Sequence, residues 1–410
     1  MAQARANRIT SLRILGAFGK VDPGAREAAV RALTERGLPA AAPRRPRPPF
    51  TEKHERLRAE IRRFVAEELR PHAREWEDAR WFPNDVFTRM AELGLLGLKY
   101  PRKLGGRGGD HLDDAVLTQE LSRCGSGGVA AGIGAHISIA TPPIWSFGTE
   151  DQQRRFLAPA IRGEKLAALG ITEPGAGSDV AGLRTSARRV DGGYVVNGSK
   201  TYITNGVRAD IVVTAVKTTE EGGHGGLSFL IVERDADGFQ VSRKLDKLGW
   251  HASDTGELSF TDVFVPEENL LGEENKGFHL IMANFGWERL VMALGAVASM
   301  EAALERVVQD SAAGSRRRHA VAEIAVELEA SRCLTYHALR LFAAGQNAVR
   351  EVTEAKLLSQ RAAFRVAESA FCLLDGDEEI ARVLRDTRLG PIGGGTDEVM
   401  KEILGKQLGL

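Results

Sequence analysis

The sequence has few cysteines, no excess charge and no long apolar run, and each of these features narrows the class of protein. Its only cysteines in 410 residues are Cys124, Cys333 and Cys372, which are far apart and not in metal-ligand spacing. This argues against a disulfide framework and for a reducing compartment. The 55 basic residues balance 55 acidic ones, so nothing recommends nucleic acid or an anionic membrane as a partner. No apolar run approaches the about 20 residues of a membrane span, and we expect a globular enzyme without a metal.

The first fifty residues are compatible with two interpretations. Residues 1–20 carry three arginines and no acidic residue, with apolar residues at helical spacing, as in an organelle transit peptide. The same pattern describes an amphipathic helix on the body of a bacterial protein, which we favour because arginine and alanine are abundant along the whole chain. Residues 41–49 contain four prolines and three arginines and predict an extended linker. Residues 1–50 are therefore an N-terminal extension and linker of a cytoplasmic bacterial protein, with the mitochondrial matrix as the alternative location.

Residues 51–165 show the period of packed helices. Thr51 can cap a helix whose apolar residues, from Leu57 to Leu69, share one face. Further helical patterns follow at residues 83–94, 113–124 and 150–162. The glycine-rich segment 125–134 predicts a loop between two of them.

The apolar period changes to two over residues 166–276. Turn signals such as Asn197-Gly198, Asn205-Gly206 and Asp237-Gly238 separate short β-type runs, which is typical of an antiparallel barrel or sandwich. Over residues 277–410 the period of long helices returns. The order of helices, strands and helices predicts an α+β chain with domains at residues 51–165, 166–276 and 277–410.

One segment places glycines and hydroxyl groups between two predicted strands. Residues 171–182 read Ile-Thr-Glu-Pro-Gly-Ala-Gly-Ser-Asp-Val-Ala-Gly. The glycines leave the backbone bare, and Thr172 and Ser178 add adaptable donors and acceptors, so the segment suits contact with a flat ligand. The chain lacks the three spaced glycines of a dinucleotide fingerprint between a strand and a helix, so nicotinamide binding has no support.

Five segments in a fixed order resemble the acyl-CoA dehydrogenase family. They are residues 171–182, 198–206, 247–258, 265–272 and 393–398. The resemblance covers roughly the whole chain after residue 50 and implies that family's fold: an N-terminal helical domain, a middle antiparallel β-barrel domain and a C-terminal four-helix bundle. It also implies FAD as the cofactor, with an electron-transfer flavoprotein as the acceptor of electrons. The residues implied to contact the flavin are Ile171, Thr172, Gly177, Ser178, Tyr202 and Thr204.

The family places its catalytic carboxylate at one of two positions. Most members have a glutamate before a Gly-Thr pair near the C-terminus, where this chain has Gly394. A subgroup resembling isovaleryl-CoA and long-chain acyl-CoA dehydrogenases carries it on an earlier helix before an arginine, where this chain has Glu288 and Arg289. Independently, Glu288 shares the apolar stripe of its predicted helix with Ile281 and Phe285, and a desolvated carboxylate has the raised pKa that a general base needs.

The glycine turn at 393–395 precedes the last predicted helix, so its backbone N–H groups are donors at the positive end of a helix dipole. The resemblance implies that the amide of Gly394 holds the thioester carbonyl of the substrate. Ser178 and Arg289 are assigned to substrate binding.

Two segments depart from the family's pattern. In the family, an Arg-x-x-Phe-Gly segment and a glycine-rich loop grip the adenosine and pyrophosphate of the neighbouring subunit's FAD, whereas this chain has a shortened segment 308–319 and only residues 374–378 in those places. One interpretation is a hetero-oligomer with a related subunit whose clamp is intact. Another is that the arginines at 316–318 substitute as a phosphate clamp, although a solvated loop is the simpler reading of this arginine run. A homo-oligomer, dimer or tetramer, also stays open.

The sequence thus predicts FAD-dependent α,β-dehydrogenation of an acyl thioester, carried by CoA or an acyl-carrier protein, to the trans-2-enoyl thioester in fatty acid metabolism. Two alternatives stay open. One is a weakly catalytic or non-catalytic subunit of a heteromeric acyl-CoA dehydrogenase. The other is a flavin oxidase or monooxygenase on the same scaffold.

Overall fold

The computed structural model describes residues 47–219, 225–310 and 317–410. Its N-terminal part is helical, and the first helix begins after Thr51, whose backbone N–H donates to Nδ1 of His54 at 3.0 Å. The helices of this part are α1 (Glu52–Phe64), α2 (Ala73–Ala79), α3 (Asp85–Glu92), α4 (His111–Leu121), α5 (Gly127–Gly134), α6 (Thr141–Phe147), α7 (Glu150–Gln152) and α8 (Ala158–Ile161).

The glycine-rich segment 125–134 forms helix α5, so the prediction of a loop there is wrong. Ser126 caps the helix, because its Oγ accepts the N–H of Val129 at 3.0 Å. A Cβ atom on Gly128 would lie 2.7 Å from the backbone nitrogen of Ser253, closer than two such atoms can approach. Gly128 therefore lets α5 lie directly against the loop that precedes Thr255 in the middle part of the chain, and it does not mark a turn.

Eight strands make up the sheet of the middle part. They are β1 (Ala167–Gly170), β2 (Ser186–Val190), β3 (Gly193–Thr204), β4 (Ile211–Lys217), β5 (Leu227–Glu233), β6 (Phe239–Lys244), β7 (Thr255–Pro266) and β8 (Leu270–Leu271). Their hydrogen-bonded order is β6-β7-β3-β2-β4-β5-β8, and β1 lies beside β4.

This sheet is open, so the predicted closed barrel is wrong. The end strands β6 and β8 are not paired with each other in the described part of the chain. Strand β1 runs parallel to β4, and β2 meets β4 at one parallel pair only, Ser186 with Lys217. Strand β4 is buried on both faces: Val213 packs towards the helices and Val212 towards the other strands. Helices therefore cover one face of β4 and other strands cover the second face.

The C-terminal part is again helical. Its helices are α9 (Gly277–Gln309), α10 (Arg317–Ala343), α11 (Val349–Leu373), α12 (Glu378–Asp386) and α13 (Asp397–Gln407). The three long helices and α13 are those of the predicted bundle, and the short α12 was not predicted. No described helix combines the length and the apolar character that crossing a membrane requires.

Helix α9 contacts all three parts of the molecule. Near its start, Leu280 and Ile281 belong to an apolar core shared with the sheet. Two turns later, Leu290 and Leu294 belong to the core of the N-terminal helices, and Met300 packs among the C-terminal helices. The middle of α9 is therefore held between the sheet and the two helical parts, which is where residue 288 lies.

Candidate active site

The carboxylate of Glu288 is unpaired. It is partly buried on α9, and it forms no hydrogen bond or ion pair with any described residue; its Oε2 is enclosed without a donor. Burial raises the pKa of Glu288 to about 7, against the opposing positive charges of Arg289 and Lys356. A structural carboxylate would be expected to have a partner. This one is free to accept a proton close to neutral pH.

Arg289 is buried beside this carboxylate without forming an ion pair with it. Its side chain is 7% exposed, its Nε has no acceptor among the described residues, and its guanidinium lies 5.3 Å from the ring centre of Phe285. An enclosed guanidinium N–H without an acceptor can bind a polar group of a ligand. The geometry thus leaves Arg289 available for the substrate.

The glycine turn lies against the same face of α9. A Cβ on Gly394 would lie 3.9 Å from Oε1 of Glu288 and 2.4 Å from the sulfur of Met292. Gly394 and Gly395 have φ of 61° and 93°, a backbone conformation that glycine adopts without strain. Within the described part of the chain, the N–H of Gly394 has no acceptor. An unpaired carboxylate and an unpaired backbone donor therefore lie side by side.

The segment 171–182 is fixed from beneath by Glu173. This buried carboxylate accepts Nζ of Lys200 at 2.8 Å and the backbone N–H groups of Arg184 at 2.6 Å and Thr185 at 2.9 Å. The carbonyl of Thr172 also accepts the N–H of Thr201 at 2.9 Å. The sequence analysis did not identify Glu173 or Lys200, because only the fold brings Lys200 of β3 to a carboxylate inside the segment.

The outer surface of the segment is open. Ser178 is exposed, and no hydrogen bond joins its side chain to a described residue. A Cβ on Gly175 would meet nothing within 4 Å among the described residues, and one on Gly177 would meet only the methyl group of Thr172 at 3.8 Å. The chain's own packing does not demand these glycines. A ligand lying on the backbone would account for them.

Tyr202 presents a bare aromatic ring near this surface. It sits at an irregularity of β3 between Lys200 and Ile203, with φ of 60°, and the residue is 70% exposed. Thr204, two residues on, is half-buried. A left-handed backbone conformation costs free energy in a bulky residue, and such strained residues cluster at ligand-binding sites. The strain at Tyr202 therefore favours a ligand-binding role for its exposed ring.

Ile171 connects the two halves of the site. It lines a cavity of about 10 Å³ together with Ile281 and Phe285 of α9, and Phe285 lies three residues before Glu288. The segment 171–182 thus packs, through Ile171, against the helix that carries Glu288. The bare backbone, the unpaired hydroxyl and the aromatic face fit the ring system of a flavin, which needs flat contact and a few hydrogen bonds.

The fold and this site together define a flavin-dependent oxidoreductase that acts on CH–CH groups. Family models give the assignment in detail. Those of the N-terminal, middle and C-terminal domains of acyl-CoA dehydrogenase match residues 51–164, 168–263 and 275–409. The chain belongs to the acyl-CoA dehydrogenase family, its cofactor is FAD, and it catalyses FAD-dependent acyl-CoA dehydrogenation.

Similar proteins agree along most of their length. The chain is 36% identical to an acyl-CoA dehydrogenase of Bacillus subtilis, over 87% of this chain and 98% of the relative. It is 34% identical to the mitochondrial isovaleryl-CoA dehydrogenase of Solanum tuberosum, over 88% and 91%. The crystal structure of acyl-CoA dehydrogenase from Geobacillus kaustophilus superposes with a TM-score of 0.85 at 39% identity, over 88% of this chain and all of that one.

The two segments that depart from the family's pattern are partly described. Helices α11 and α12 are joined by a short turn in which Asp377 receives the N–H of Ile380 at 3.1 Å and pairs with Arg306 at 2.8 Å. In the arginine run, residue 316 lies outside the described residues. Arg317 opens α10 and pairs with Asp310 at 2.9 Å and Asp375 at 3.6 Å. Its guanidinium is thus already engaged by two carboxylates of its own chain.

Proposed function

We propose that Glu288 removes the α-proton of the acyl thioester and that the N–H of Gly394 holds the thioester carbonyl. The observation that carries this proposal is the unpaired carboxylate of Glu288, 3.9 Å from the Cβ position of Gly394. Removing the α-proton places negative charge on the carbonyl oxygen, so a base and a donor must act on adjacent atoms. FAD, when bound, supplies the two-electron oxidant that accepts the β-hydrogen as hydride.

Burial of Glu288 suits this role. With a pKa of about 7, the carboxyl group is ionised in roughly half of the molecules at neutral pH and is a stronger base than an exposed glutamate. The N-terminus of α13 follows the glycine turn, so its dipole adds to the field on the carbonyl oxygen.

The ligand-binding roles follow from the open surface. We assign flavin contacts to Ile171, Thr172, Gly177, Ser178, Tyr202 and Thr204, of which Tyr202 offers its ring. Arg289 and Ser178 are assigned to the polar part of the substrate. FAD, when bound, would supply the electrons for an electron-transfer flavoprotein, which we propose as the partner, and we place the reaction in the bacterial cytoplasm. The three stretches 51–165, 166–276 and 277–410 are proposed as domains, each with its own share of the site.

Replacement of the base tests the proposal. In the purified holoprotein, a panel of acyl-CoA thioesters should bleach the flavin absorbance of the wild type. Glu288→Gln should keep the flavin colour but slow bleaching by at least about 10³-fold, because the amide cannot take the proton. Glu398→Gln is the matched control, since that acid is exposed on α13. Unchanged bleaching by the Glu288 variant ends its assignment as base.

A non-catalytic subunit is the second candidate function. The short turn at 374–377 and the engaged guanidinium of Arg317 leave less of this chain for the adenosine end of a neighbour's FAD. A hetero-oligomer with a related subunit would then have half as many flavin sites as a homotetramer. The ratio of FAD to chain decides this: a homo-oligomer with one FAD per chain contradicts the hetero-oligomer. An oxidase or a monooxygenase on a non-thioester substrate would leave the flavin oxidised across the whole thioester panel.

A further inference from the structure

We infer that Lys356 is a positioning residue for this reaction, holding the glycine turn in place and setting the charge on Glu288. The inference rests on the roles proposed above for Glu288 and Gly394. Lys356 is not part of any of the five segments that resemble the family.

Lys356 is buried in helix α11 with 0% exposure. Its Nζ donates to the backbone carbonyl of Gly395 at 2.7 Å, and no carboxylate of the described residues lies within ion-pair distance of it. Buried ammonium groups ordinarily pair with a carboxylate, because desolvation is otherwise costly. Here the ammonium group of Lys356 donates instead to a backbone carbonyl of the glycine turn. The same turn contains Gly394, whose N–H is the proposed donor to the substrate carbonyl.

That turn has few other restraints. Three consecutive glycines have great backbone freedom. The described backbone hydrogen bonds hold its first residue, Gly393, whose N–H donates to the carbonyl of Leu389 at 3.0 Å, and the chain just after it, where Asp397 N–H donates to the carbonyl of Pro391 at 2.9 Å. The sulfur of Met292 packs against Gly394. Between these two hydrogen bonds, the bond from Nζ of Lys356 holds the carbonyl of Gly395. Losing it frees the N–H of Gly394 to turn away from the substrate carbonyl, and misplacement of such a donor lowers the rate far more than it weakens binding.

The same ammonium also acts on the base. The charged groups that face Lys356 are Glu288 and Arg289 of α9, Arg361 of its own helix and Asp397 at the start of α13. Lys356 and Arg289 both favour the ionised form of Glu288 against its burial. Burial lowers the pKa of Lys356 itself to about 8, so it is largely charged below that pH. Removing the charge should raise the pKa of Glu288 further.

Two variants separate position from charge. Lys356→Met removes both the donor and the charge at similar volume, whereas Lys356→Gln keeps an N–H donor without the charge. Both should shift the acid limb of the flavin-bleaching rate to higher pH by about 0.5–1 unit. At pH 9 Glu288 is ionised in every variant. There the flavin-bleaching rate of Lys356→Met should stay at least about tenfold below that of the wild type, whereas Lys356→Gln should recover most of the wild-type rate. Lys401→Met, an exposed lysine of α13, is the control.

Binding and stability complete the test. The affinity for an enoyl-CoA, read from the shift of the flavin spectrum, should change by less than about threefold in the Lys356 variants, because a positioning role acts mainly on the transition state. If Lys356→Met does not retain FAD, the pH dependence of the bleaching rate in Lys356→Gln tests the inference on its own. An unshifted acid limb in a folded, flavin-containing Lys356 variant overturns the inference. A normal rate in Glu288→Gln would instead overturn the proposed function.

Discussion

The sulfur of Met292 fills the space into which a side chain at Gly394 would have to project. The ideal Cβ position of Gly394 lies 2.4 Å from that sulfur, well inside van der Waals contact. Met292 lies one helical turn after Glu288 on α9. The helix that carries the acid thus also blocks the alternative location of the acid in the glycine turn.

Moving the acid back to the turn should therefore fail unless Met292 is made smaller. Gly394→Glu in a Glu288→Gly background should bleach no faster than Glu288→Gly alone, because the new side chain meets the sulfur of Met292. Adding Met292→Ala opens the space and should restore activity by at least about tenfold. Single-turnover bleaching of the three variants is the measurement, and restoration without the Met292 change would contradict the steric argument.

The rate of flavin reduction should fall in acid with the titration of Glu288. In the proposed mechanism the active form is the carboxylate of Glu288, and burial raises the pKa of Glu288 to about 7, so protonation should inactivate the enzyme below that pH. We expect the bleaching rate to level off above about pH 8 and to fall about tenfold per unit below about pH 7. Stopped-flow absorbance between pH 5 and 9 measures this. A rate that stays constant down to pH 5 would mean that a group with an ordinary carboxyl pKa is the base.

Asp386 joins the three parts of the molecule and should make stability depend on pH. Its carboxyl oxygens accept the N–H groups of Trp250 at 2.6 Å and Gly127 at 3.1 Å. Burial, and then the charge of Glu77, raise the pKa of Asp386 from 3.8 to about 7. The folded protein thus keeps a proton that the unfolded chain releases above about pH 4.

The stabilisation from that proton is complete below about pH 4 and is lost as the pH rises to about 7, by up to about 4 kcal/mol. Melting temperatures measured from pH 5 to 8 should therefore decline with pH. Asp386→Asn should flatten the decline, whatever its absolute stability, whereas Asp235→Asn, an exposed control, should keep it. Parallel curves for all three proteins would exclude Asp386 as the cause.

Two glycines of α5 should respond oppositely to alanine. A methyl group on Gly128 would collide with the backbone nitrogen of Ser253 at 2.7 Å, whereas one on Gly134 would meet nothing within 4 Å among the described residues. Gly128→Ala should lower the free energy of unfolding by about 1–3 kcal/mol. Gly134→Ala should leave it unchanged or raise it by up to about 1 kcal/mol, because alanine favours helix. Urea unfolding of the two variants gives the comparison, and equal effects would show that close packing does not select glycine here.

The sequence predicted what depends on local periodicity and on motifs. The long helices from residue 277 onward and the strands between the two helical parts have strong periods, so the α+β order could be read directly. Glu288 was predicted as the base from the two positions at which the family carries its catalytic carboxylate, and its place on an apolar helical stripe supported that prediction. The same signal was present for Lys356, which lies among the buried residues Val352, Ala355 and Ser359 of α11, but only the fold shows which carbonyl it meets.

What the sequence could not predict depends on contacts between distant segments. The glycine-rich sequence of residues 127–134 suits both a loop and a helix packed closely against another backbone. Only the fold, which places the backbone of Ser253 against Gly128, distinguishes the two. Closure of the sheet depends on whether β6 meets β8, and the local sequence of neither strand shows this. Tertiary packing overrides local preference at both places.

Helix α9 has a further consequence for how this enzyme can evolve. Glu288 lies on a helix held by three apolar cores, whereas Gly394 lies in a separate glycine turn, so the proposed base and the proposed carbonyl donor belong to different elements. Substitutions in the turn should then alter the proposed donor while Glu288 keeps its place on the helix. A relative that carries both on one loop residue must change them together.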